Sequence, residues 1–122
     1  MFFFNKNKKG ELEKKIDKEI EINGICFIYE TDKDGMEEVA AKIAKIYESK
    51  INDIVKFMLD NGFPDVFGEM SSTKIIESLG RPTIDLDRGV ISYLEQTLDD
   101  AHILDIEYGG TLEKIFYFSI DG

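Results

Sequence analysis

Two short runs place carboxylates two residues apart, the spacing with which a calcium loop begins: Asp32-Lys33-Asp34-Gly35 and Asp85-Leu86-Asp87-Arg88-Gly89. A complete loop adds oxygen ligands at fixed offsets and closes on a bidentate Glu. Neither run continues that way. Their carboxylates read as capping and turn-forming groups, because a short acidic side chain accepts nearby backbone N–H bonds. The single cysteine, Cys26, would be a nucleophile only with a lowered thiol pKa. Nothing local lowers it, and the single histidine, His102, lies far along the chain, so Cys26 reads as a packed thiol. His102 shares its parity with Leu104 and Ile106 and reads as a half-buried ring, not as a base or ligand. The chain has no glycine-rich phosphate loop, paired-His motif or CxxC. With 25 acidic residues, any one carboxylate pair is uninformative for acid/base work on sugars. These residues assign no catalytic group, no metal ligand and no cofactor, and the chain reads as a non-enzyme.

One stretch departs from the rest in charge. Between Glu95 and Glu107 lie Glu95, Asp99, Asp100, Asp105 and Glu107, with no Lys or Arg among them. Elsewhere acids are mostly interspersed with bases. Carboxylates without local counter-ions suit electrostatic docking of a cationic protein, because they speed encounter and penalise wrong partners. These five are the candidate partner-binding residues; a solvated sheet face is the plainer alternative. The whole chain has a formal charge of −10. Residues 1–18 hold six lysines against three acids, a net of +3, which leaves −13 for residues 19–122. A field of that sign repels nucleic acid and anionic membranes and attracts basic partners.

The elements that must position these groups follow from periodicity. The 122 residues suit one domain with a single core. Residues 5–17 are polar and lysine-rich, with Leu12 and Ile16 four apart, and read as a short helical turn or, with 1–4, as a loose basic arm. In KEIEINGICFIYET, residues 18–31, apolar positions alternate on both sides of Asn23-Gly24, which predicts a hairpin with a type I′ turn. Apolar residues then recur at steps of three and four from Met36 to Leu59, which predicts one long amphipathic helix, bent near Ser49. Asn61-Gly62 ends it. Phe63–Gly68 reads as an apolar loop, in which Pro64 holds Phe63 extended. Ser71-Ser72-Thr73 opens a short helix closed by Gly80. Four strands follow, at 83–87, 90–96, 102–108 and 114–120, the last sending Phe116, Phe118 and Ile120 to one face. The expected fold is α+β: an antiparallel sheet made of the N-terminal hairpin and a C-terminal four-strand meander, packed by the long helix and the short one.

MFFFNKNKKG does not read as a signal peptide, since its apolar run is too short and its lysines follow it. No apolar stretch reaches bilayer-spanning length. A cytoplasmic location is the expectation, in keeping with one unpaired cysteine. The C-terminal pattern RPTIDLDRG…YLEQTLDDAHILDIEYGGTLEKIFYFSIDG resembles a set of small acidic bacterial domains of unknown function. Members of that set occur near polymorphic toxins, and some are presumed immunity proteins. The resemblance implies a non-catalytic protein that neutralises a basic toxin domain by electrostatic occlusion, and it carries over no catalytic residue. Two other readings stand beside it. One is a small enzyme using carboxylates with a divalent cation at Asp85 and Asp87. The other is an oligomerising module that self-associates through Phe63, Phe67 or an edge strand.

Overall fold

A computed structural model describes residues 18–30 and 35–122. The basic arm expected at 1–17 and the first acidic run at 31–34 lie outside the described residues. The described chain folds as α+β. Strands β1 (Lys18–Ile22) and β2 (Ile25–Tyr29) are followed by helices α1 (Met36–Asp60), α2 (Phe63–Phe67) and α3 (Ser72–Leu79). Four further strands complete it: β3 (Thr83–Asp85), β4 (Val90–Tyr93), β5 (Ile103–Gly109) and β6 (Lys114–Asp121).

All six strands form one sheet in sequence order. Hairpin and meander meet through a parallel pairing of β2 with β3, in which Phe27 sits beside Ile84. A parallel neighbour needs a long crossover, and the three helices are that crossover. The other pairings are antiparallel. The β1–β2 turn carries positive φ at Asn23 (52°) and Gly24 (79°), as a type I′ turn requires.

Strand register sorts the side chains into rows. One row crosses every strand: Ile20, Phe27, Ile84, Ile91, Ile106 and Phe118. Phe27, Ile84, Ile91 and Ile106 have no exposed surface. They pack with Ala40, Ile43, Ile54, Val55 and Met58 of α1 and with Ile75 and Leu79 of α3. Burying a large aliphatic or aromatic side chain stabilises by about 1.5–3 kcal/mol, so this row and its helical cover are the main driving force. A hydroxyl pair ties the layers together, Tyr47 on α1 lying 2.6 Å from Tyr93 on β4. Burial pushes the Tyr47 phenol up to about 12 and raises that of Tyr93 as well, so the pair is uncharged at neutral pH. No helix among the described residues is long and apolar enough to cross a membrane.

Two local expectations are corrected. Phe63–Phe67 is a short helix, not a loop, with Pro64 in its first turn. There the missing N–H has no intrahelical partner to lose. Phe63 is fully buried, and its ring lies 4.8 Å from that of Phe67. The second correction concerns β6. Glu107 pairs with Tyr117, but Tyr108 pairs with Ile115, so Phe116 is an extra residue in a β-bulge. The bulge resets the parity. Ile115 joins Phe118 and Ile120 against the core, while Phe116 is turned out and 60% exposed. Its ring covers Gly109 so closely that a Cβ there would come within 2.6 Å of it.

The bulge makes two phenylalanines two residues apart unequal. Phe118→Ala should cost about 3–5 kcal/mol of unfolding free energy, as truncation of a buried aromatic does. Phe116→Ala should stay within about 0.5 kcal/mol of the parent. Urea titrations of the two variants give the comparison; equal losses would mean an unbroken strand.

Candidate functional site

The helices cover one face of the sheet and leave the other open. Because side chains alternate along a strand, the rows flanking the core row must point to that open face. One of them runs Glu21, Cys26, Thr83, Ser92, Asp105, Ser119. The next runs Glu19, Ile28, Asp85, Val90, Glu107, Tyr117. A groove of about 610 Å³ lies across the middle of this face. Its lining includes Glu30, Asp85, Asp87, Asp105, Glu107 and Asp121, with Arg88 as its one basic residue. Ile28, Val90 and Leu94 contribute apolar walls, and Thr83, Ser92 and Ser119 contribute hydroxyls.

Asp105 is the central carboxylate. It accepts a 2.6 Å hydrogen bond from the Ser92 hydroxyl, its neighbour on β4. Burial pushes its carboxyl pKa up, the Ser92 bond opposes that, and the adjacent Asp121 and Glu107 carboxylates push it further up. No Lys or Arg among the described residues forms an ion pair with Glu30, Asp105, Glu107 or Asp121. Folding therefore holds Asp105, Glu107 and Asp121 near one another with no ion-paired Lys or Arg among the described residues, at a cost that a bound cation would relieve.

The second acidic run serves the turn before β4. Asp85 accepts backbone N–H bonds from Asp87 (3.0 Å) and Arg88 (3.2 Å), and its other oxygen lies 3.6 Å from Arg88 Nε. Asp87 accepts the Glu30 N–H at 2.6 Å, which ties the turn to the end of β2. Among the described residues, no group of three His, Cys, Asp or Glu side chains is placed to hold a metal ion. Cys26 is buried, and burial and then the Glu19 carboxylate push its thiol pKa up, away from the nucleophilic form.

The five acidic residues singled out by sequence do not act as one ribbon. Glu95 is paired with Arg81 at 3.1 Å, and the same guanidinium reaches Glu21 at 3.2 Å. Asp99 is occupied by the turn that follows β4. It accepts N–H bonds from Ala101 and His102 at 3.1 Å each, and His102 Nδ1 lies 2.6 Å from its other oxygen. Buried Gln96 braces that turn from within, donating to Asp99 Oδ1 and to the carbonyls of Asp99 and His102. The His102 ring also lies edge-on to Phe67, at 5.7 Å. Asp100 is exposed on the same turn. Asp105 and Glu107 alone of the five line the groove. Of the other groove carboxylates, sequence reasoning singled out Asp85 and Asp87 as turn formers or a cation pair, and it missed Glu30 and Asp121. For Asp121 a signal existed: it has the parity opposite to half-buried Ile120 on its own strand.

No family model, curated protein or solved structure matches this chain. The reading of the site therefore rests on its own geometry.

Two pH and charge effects follow, with opposite signs. The hydrogen bond from His102 holds the Asp99 carboxyl down at about 2, against an ordinary 3.8. A depressed folded pKa adds stability that is present above the ordinary value and lost as pH falls toward 2. Asp99→Ala should therefore lower the thermal midpoint at pH 7 and flatten its decline between pH 4 and 2. Asp105 has a raised folded pKa, so its ionised form opposes folding at neutral pH. Asp105→Asn should raise the midpoint at pH 7, and a lower midpoint would show that its charge is compensated within the fold.

Proposed function

We propose that this protein is a non-catalytic binding module that occludes a basic protein surface with the open face of its sheet, in the manner of an immunity-type protein. The observation that carries the reading is the groove of carboxylates, most of them on strands, whose central member is partly desolvated and is ion-paired with no Lys or Arg among the described residues. A catalytic pair needs two groups with distinct protonation roles and a place for a reacting atom between them. This groove instead repeats one kind of group across several strands, which is what complementarity to a cationic surface needs. A basic toxin domain that uses Lys and Arg to grip an anionic substrate would present such a surface. Covering it would block the substrate by charge and by bulk. The −13 carried by residues 19–122 would extend the attraction beyond contact range and raise the encounter rate.

The reading separates groove carboxylates from those already used internally. With a fluorescent cationic peptide of mixed Lys and Arg as probe, the double variant Glu107→Lys with Asp121→Lys should weaken binding by about tenfold or more. Glu95→Gln with Asp99→Asn, outside the groove, should change it by less than about twofold. Affinity should fall steeply as salt rises from about 50 to 300 mM, since exposed pairs are screened over that range. Binding that is insensitive to salt, or equally sensitive to both double variants, would remove the groove as the docking surface.

A further inference from the structure

The open face has a second feature beside its acids. At the β6 margin of the groove, Phe116 and Tyr117 are 60% and 55% exposed. They are consecutive, and the bulge is what brings both out to solvent. Tyr117 is the direct cross-strand partner of Glu107, a groove carboxylate on the adjacent strand β5. Phe116 lies over Gly109, the residue of β5 that has no side chain to hold it off. Ser119, next along the same face of β6, pairs with Asp105. An aromatic surface therefore adjoins uncompensated carboxylates on one rigid strand pair.

That juxtaposition suits one cation better than another. A guanidinium is planar, donates two parallel N–H bonds to a carboxylate, and stacks its face on an aromatic ring. An ammonium is a compact, strongly hydrated point charge that cannot do both at once in the same plane. Resting on the acidic-groove reading above, we propose that the open face selects arginine over lysine: a partner arginine bonds Glu107 while its guanidinium stacks on the Phe116–Tyr117 surface. The occupant is then an arginine-bearing segment of a basic protein laid across the sheet. Charge complementarity draws in either cation, and the aromatic pair decides between them. Both cations are drawn to a ring face, but only the guanidinium stacks flat on it while holding the carboxylate, a preference of about a few-fold per stacked residue.

The test uses the full chain and two fluorescent peptides of equal length and charge, one with alternating Arg and Gly, the other with alternating Lys and Gly. Anisotropy at about 50 mM salt should give an affinity at least about fivefold tighter for the Arg peptide. In the double variant Phe116→Ala with Tyr117→Ala, both exposed positions that the fold can spare, this ratio should collapse toward one while the Lys peptide binds within about twofold of the parent. Glu107→Gln should weaken both peptides. Equal affinities in the parent protein would overturn the arginine preference and leave the acidic groove standing. A ratio that survives loss of both rings would overturn it too. Binding of neither peptide would defeat the groove reading with it. Sedimentation of the parent and the double variant separates a further occupant: a dimer that disappears on loss of the rings would assign them to a second copy of this chain and overturn the proposal.

Discussion

The structure depends on one apolar row. Ile20, Phe27, Ile84, Ile91, Ile106 and Phe118 stand side by side across six strands and face the helices. Side chains alternate with a period of two, so a slip of one residue in any pairing would turn that strand's apolar set to water and its polar set to the core. Burial of this row thereby fixes register throughout the sheet. It also fixes the opposite face, where the acidic and hydroxyl rows have no freedom to be anywhere else. The candidate site is the reverse side of the core.

The same constraint gives the site its rigidity. Asp105 and Glu107 stand on β5, which is paired on both sides, by β4 and by β6. Carboxylates on a strand paired on both sides cannot move apart as they would on a loop; burial first, and then the neighbouring Asp121 and Glu107 carboxylates, raise the Asp105 pKa. Two of the acids that lie beyond β4, outside the strands, are satisfied locally. Asp99 is enclosed by backbone donors and His102, and Glu95 meets Arg81. Acids of similar sequence context thus divide by position into those that hold the fold together and those, Asp105 and Glu107, that no Lys or Arg among the described residues pairs with.

The bulge at Phe116 connects the two themes. Bulges occur at sheet edges, where they bend an exposed strand and discourage pairing with another chain. Here the extra residue also converts a side chain of core parity into a surface aromatic beside the groove. Gly109 leaves room for this, since a Cβ there would force the Phe116 ring to shift. Edge protection and the proposed guanidinium surface arise from one irregularity.

Much of the fold was legible in the chain before any coordinates. Steps of three and four marked α1, alternation marked the strands, and Asn23-Gly24 marked the hairpin turn, because each signal is local and set by backbone geometry. The excess of negative charge was likewise a property of composition. The site was only half legible. Asp105 and Glu107 could be chosen from a run lacking bases, but Glu95 and Asp99 came with them, because a run of sequence carries no information about an arginine at position 81 or a glutamine brace from beneath. Strand neighbours decided the rest. The parallel pairing of β2 with β3 brings Glu30 to the turn containing Asp87, and the meander sets Asp121 near Asp105. Periodicity says which side of a strand a residue occupies. Which strand lies next to it, and where the ladder skips a residue, is settled by non-local packing that only the folded sheet contains.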